Sequence, residues 1–168
     1  MKKTVKSILF STAILTVFSF NAQKLGHVNS QAIVQEMPDY ESARKELESY
    51  KNDLAKELEM YQKLIMEFAQ DYEKQKTTMS AESRQRKEAD LMERQQNYEK
   101  KAYEAETKLQ QKEQELLQAI MVKVNNAVQE LAKSEGYDYI FERTTLLHAG
   151  GDDISDKVRK KLGISTSN

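Results

Sequence analysis

His27 and His148 are the only imidazoles in this 168-residue chain. Both fall in segments that read as short strands, so the one metal site the sequence could assemble is a two-histidine centre completed by Asp152 or Glu142. Two imidazoles without ligand spacing are ordinarily packed or surface side chains. There is no cysteine, which removes disulfides, thiolate chemistry and lipid attachment through a thiol. The many carboxylates recur at the spacing of a solvated helix face, and nothing places two of them together in a pocket for acid/base work. The expectation is a protein with no catalytic residues, no cofactor and no metal. A different chemistry is carried by Met60, Leu64, Met66, Met79, Met92 and Tyr103, apolar side chains that fall beside the main hydrophobic line rather than on it. Methionine is flexible and polarisable and suits a surface that accepts varied partners. The competing reading is that these residues thicken the seam.

The elements that must position them are long. From Asp39 to Glu135 there is neither Gly nor Pro, and the stretch is dominated by Glu, Lys, Gln and Ala with apolar residues every three or four positions, which is the pattern of helix. Thr77, Thr78, Met79 and Ser80 interrupt it, and Ser80 is placed to cap a second helix. Two antiparallel helices joined at that tip are predicted. In the first, Tyr40, Ala43, Leu47, Tyr50, Leu54, Leu58, Tyr61, Ile65, Phe68 and Tyr72 recur at a mean step of about 3.56 residues, between the heptad and straight-helix periods. Glu41 with Lys45, and Glu59 with Lys63, are spaced for surface pairing. At about 1.5 Å per residue the arm is roughly 60 Å long, and the return helix regains its base near Ile120.

The ends of the chain predict a small body. Lys24–Asn29 reads as a strand, followed by a brief helix from Gln31 to about Glu36 capped by Ser30. Pro38 stops that helix, and Asp39 is the expected cap of the next. After Gly136, a helix stop, residues Tyr137–Arg143 alternate at strand period. Thr145–Ala149 reads as a second strand of the pair, Gly150–Asp153 as a turn, and Ser155 as the cap of a last helix reaching about Leu162. From Leu116 to Leu131 the apolar face of the second long helix broadens, beyond what one partner helix covers. One chain offers little to enclose a core, so oligomerisation is expected, with Leu25, Val28, Ile120, Val124, Val128, Leu131, Tyr139, Ile140, Phe141 and Leu146 in the shared body. The fold class is α+β, mainly α. The division is 1–22 signal peptide, 39–117 arm, and 23–38 with 118–168 body.

The N-terminus gives the compartment. Lys2, Lys3 and Lys6 precede an uncharged, mostly apolar run from Ile8 to Phe20, too short to span a bilayer and built like a cleavable export signal. Cleavage falls between Ser19 and Ala22, with Ala22 favoured. Removing the signal takes the net charge from −1 to −4, which gives no electrostatic reason to expect nucleic acid as a partner.

Taken together, the opening Lys24–Gln31, the hairpin free of Gly and Pro, the run Tyr137–Glu142 and the segments Leu146–Asp153 and Asp153–Val158 resemble the Skp, or OmpH, family of periplasmic chaperones. That resemblance implies a homotrimer with a β-rich body and three helical arms around a cavity, holding unfolded outer-membrane proteins without ATP. The best-known members are strongly basic. The acidic mature charge here therefore argues against contact with anionic lipid or lipopolysaccharide. The alternative is a structural or adaptor coiled-coil protein of the envelope, whose arms are spacers and have no use for exposed Met and Tyr.

Overall fold

The computed structural model describes residues 22–164; residues 1–21 of the expected export signal lie outside them. The elements in order are strand β1 (Leu25–Val28), helices α1 (Ser30–Glu36), α2 (Pro38–Gln75) and α3 (Ala81–Glu135), strands β2 (Tyr139–Glu142) and β3 (Asp152–Asp153), and helix α4 (Ser155–Lys161). The fold is mainly helical with a small sheet.

Local chemistry sets most of the boundaries. Met37 is extended, as a residue before proline prefers to be, and Pro38 opens α2, where its missing N–H costs nothing. Two caps differ from expectation. The Asn29 side chain, not Ser30, accepts from the Ala32 N–H at the start of α1. Ser30 instead begins the helix and donates its hydroxyl to Glu142. Asp39 caps nothing: α2 starts one residue earlier without a side-chain cap. At the tip Ser80 does accept from the Ser83 N–H, at 3.2 Å. Gly136 closes α3 at φ 69°, a left-handed conformation that costs glycine little.

The sheet departs from the sequence reading. Its order is β2-β1-β3, and both pairings are parallel, with Leu25 opposite Tyr139 and Gly26 opposite Asp152. Thr145–Ala149 is not a strand: a 3-10 turn occupies Arg143–Thr145, and Leu147 is fully exposed. The third strand is Asp152–Asp153, the segment that reads as a turn. The physical reason is that β1 takes the centre. A parallel partner must arrive from the same end as β1, which needs a long crossover between strands, and α1, α2 and α3 supply it for β2. The chain then passes over β1 to add β3 on its far side. Gly151 makes that passage possible at φ 90°, where a Cβ would lie 2.8 Å from the Leu25 carbonyl oxygen.

The core is formed by Val28, Ile33, Val34, Met37, Ala43, Ile120, Val124, Ala127, Leu131, Tyr137, Ile154 and Val158. Within this chain α1 and α4 pack on the broad face of α3 and bury Ile120, Val124, Ala127 and Leu131, while Leu117 stays exposed. Ile33, Val124, Ile154 and Val158 are wholly inaccessible. Helix α4 starts after Ile154, with Asp153 Oδ1 accepting from the Ser155 N–H at 2.9 Å; Ser155 does not cap it, and its Oγ accepts from Asn29 N instead.

Candidate functional site

Helices α2 and α3 lie side by side from the core outward, fastened by pairs whose numbers fall along α3 as they rise along α2. Asp39 meets Lys123, Glu46 meets Lys112 at 2.7 Å, Phe68 meets Arg94, and Tyr72 donates its hydroxyl to Glu88. The Glu46 carboxylate holds the Lys112 ammonium above its ordinary pKa, and the Glu88 carboxylate raises the Tyr72 phenol. Phe68 sits between Lys87 Nζ at 4.5 Å and Arg94 Cζ at 4.4 Å, so the distal seam closes over an aromatic ring with two cations rather than with more aliphatic bulk. Between these clasps the seam is one side chain wide, and Leu47, Leu54, Leu58 and Ile65 are only half-buried. The surface pairs also differ from the spacing argument: Glu41 pairs with Arg44, and Lys63 with Glu67.

The off-seam residues are on the outside. Met60, Leu64, Met66, Met92 and Tyr103 are between 55% and 73% exposed, far beyond what seam thickening would leave; Met79 at the tip is half-buried. They do not form one patch. Met60 and Leu64 lie one turn apart, on the side of α2 that includes Glu57; Glu57 lines one groove of the helix pair with Lys101, Glu104 and Lys108. Met66 stands five turns along α2 from Glu48, which lines the opposite groove with Arg44, Lys51 and Glu113. Met92 and Tyr103, three turns apart, follow the row of α3 that leads to Glu113. Met66, Met92 and Tyr103 therefore share one side of the arm, and Met60 and Leu64 occupy the other.

Sequence reasoning passed over two features. At the base of the arm, Tyr40, Ala43, Leu47, Leu116 and Leu117 line a pocket together with Arg44 and Glu113; its apolar residues count as seam until the angle between the helices is known. Val122, at 50% exposure, and Leu147 add apolar surface that periodicity assigns to no face.

In the body, Val28, Ile120, Val124 and Leu131 are buried, and Val128 and Ile140 pack against them. Leu25, Tyr139 and Phe141 are exposed along β1 and β2, with the Tyr139 and Phe141 rings stacked at 6.2 Å, and Leu146 is half-buried. The histidines are apart in character: His27 is buried, with Nδ1 3.9 Å from Asp153 Oδ2, while His148 is exposed in the loop before Gly150. Burial pushes the Asp153 carboxyl up, but hydrogen bonds from Ser155 and the charges of His27 and Arg143 outweigh it and hold the group below its ordinary range. Among the described residues no group of three or more His, Asp or Glu is placed to hold a metal ion, and no helix is long and apolar enough to cross a membrane.

What such an arrangement offers is a surface for binding. It presents small apolar contacts, spread over two sides of a thin arm. The chain matches the sequence model of the family described as outer membrane protein (OmpH-like) over residues 24–162. Among solved structures it is similar to a candidate outer membrane chaperone (OmpH-like) from Caulobacter crescentus CB15, at a TM-score of 0.72 and 17% identity over 84% of each chain. No curated protein matches it.

Proposed function

Because this chain belongs to the OmpH-like family, we propose that it is a periplasmic, ATP-independent holdase that binds unfolded outer-membrane proteins and keeps them from aggregating. In this reading residues 39–117 form an antiparallel hairpin arm, residues 23–38 and 118–168 form the body, and three copies assemble so that their arms enclose a cavity. The stacked Tyr139 and Phe141, with Leu25, form the apolar surface that a neighbouring body would cover. Residues 1–22 act as the export signal.

The observation that carries the proposal is the exposure of Met60, Leu64, Met66, Met92 and Tyr103 on both sides of an arm whose seam does not need them. A spacer has no use for such residues, because exposed apolar area on a solvated coil only invites aggregation. A holdase does: many weak contacts on projecting arms retain an unfolded chain without demanding one sequence.

The test dilutes a urea-unfolded outer-membrane barrel protein into the purified mature protein and follows light scattering. Suppressed aggregation is expected at a stoichiometric excess of trimer; unchanged aggregation removes the holdase function. Replacing Met60, Met66, Met79, Met92 and Tyr103 with Ser is expected to weaken retention while helicity and assembly mass stay as they were. Loss of assembly would make those residues structural and favour the envelope spacer.

A further inference from the structure

Along the side of α3 that presents Met92 and Tyr103, residues at steps of three and four form one row from Glu88 to Leu117 that contains no Lys or Arg. Glu99, Glu106 and Glu113 recur in it every seven residues, and all three are exposed, as are Met92 and Tyr103. Among the described residues none of these three carboxylates has a cation within ion-pairing distance. Carboxylates on the other side of the arm do: Asp90 takes Arg94, Glu104 takes Lys101, and Glu46 takes Lys112. On this side of the arm the cations belong to α2, where Arg44, Lys45 and Lys51 line the groove that Glu113 borders; the row on α3 itself presents unpaired carboxylates among exposed apolar groups.

We propose that this row is a contact track for unfolded polypeptide segments in which Lys or Arg alternates with aromatic and aliphatic residues. The proposal rests on the holdase reading and names the class of client it prefers. Three carboxylates seven residues apart stand about 10 Å from one to the next along the helix, and an unfolded chain in the polyproline II conformation advances about 9 Å in each three-residue turn and returns every third side chain to the same face. A client segment with a cation at every third position sets each charge beside a carboxylate and leaves the intervening apolar side chains against Met92 and Tyr103. An acidic segment of the same apolar content meets like charge at each step instead.

The experiment uses the full mature protein and two fluorescently labelled, unstructured peptides of about 20 residues, identical in Leu, Phe and Ser but carrying Lys or Glu at every third position. Anisotropy titrations are run at about 0.05 M and about 0.5 M NaCl. At low salt the Lys peptide is expected to bind about tenfold tighter, three exposed pairs at a few tenths of a kcal/mol each being sufficient. High salt should remove the preference. The variant E99Q/E106Q/E113Q should bind both peptides alike, with helicity and assembly mass unchanged. Equal binding of the two peptides by the unmodified protein, or a preference that survives in the variant, overturns the track while leaving the holdase function standing. A change in assembly mass in the variant also overturns it, since the row would then be a subunit contact. If neither peptide binds and client aggregation is not suppressed, both readings fall together.

Discussion

Ile154→Ala tests the claim that a single chain encloses its own core. Ile154 is wholly inaccessible, follows β3, and donates its backbone N–H to the His27 carbonyl at 2.9 Å. That bond is made by the backbone and survives the substitution, so the loss is confined to packing. Three carbons leave the core, at about 0.8 kcal/mol each, and the cavity left among α1, α3 and α4 adds to this. The expected destabilisation is about 3 kcal/mol, within the range for Ile→Ala in a closed core and a large share of the roughly 5–15 kcal/mol that holds a typical domain. Urea unfolding followed by far-UV circular dichroism, at one fixed protein concentration because assembly contributes to stability, reads the shift in midpoint. Tyr103→Ser, on an exposed arm position, is the control and should change stability by less than about 0.5 kcal/mol. A loss below about 1 kcal/mol for Ile154→Ala would show that contacts between subunits, and not this intrachain core, carry the body.

Gly151→Ala should be the costlier of two glycine substitutions, because it combines φ 90° with a Cβ 2.8 Å from the Leu25 carbonyl oxygen. Gly136→Ala meets nothing within 4 Å and should cost about 1 kcal/mol of backbone strain alone; equal losses in thermal unfolding would contradict the close passage of β3 over β1. Ser80→Ala removes the cap of α3 and should weaken the tip locally by about 1 kcal/mol, seen as faster hydrogen exchange at the first amides of α3 with little change in global melting. Acid should destabilise the body through Glu36 and Glu130, held below their ordinary pKa of 4.5 by hydrogen bonds from Arg159 and Lys161. A depressed carboxylate contributes stability above its unfolded pKa and loses it as pH falls through the folded value, so the loss should appear below about pH 4.5. Both carboxylates are substantially exposed, so each effect is small; Arg159→Met should flatten the acid limb of a pH series of melting temperatures, and an unchanged limb would mean that the pair does not contribute.

The long helices were legible in the sequence because their causes are local. A stretch free of Gly and Pro, an apolar step near 3.6, a serine before the second helix and a glycine after it act within a turn or two, and the structure places α2, α3, the Ser80 cap and the Gly136 stop accordingly. Alternation likewise marked β2, and the short stretch carrying Leu25 and Val28 marked β1. Met60, Leu64, Met66, Met92 and Tyr103 were legible as off-seam for the same reason, since angle around a helix follows directly from residue number.

Tertiary structure decided everything that depends on which distant segments meet. Strand periodicity carries no information about direction or partner, so the parallel pairing of β1 with Tyr139–Glu142 and with Asp152–Asp153 could not be read from it. Two aspartates after two glycines signal a turn until a central strand is there to receive them. The width of the apolar face on α3 indicated that it must be covered. Only the packing of Ile33 and Val34 from one end of the chain, and Ile154 and Val158 from the other, showed how much of it the same chain covers. The pairing of each carboxylate depends on the register between α2 and α3, which places Lys112 beside Glu46 and leaves Glu113 without an ion pair at the edge of a groove lined by Arg44, Lys45 and Lys51. Sequence fixes the angle of each residue on its own helix, whereas the neighbour that meets it is set by how two helices pack.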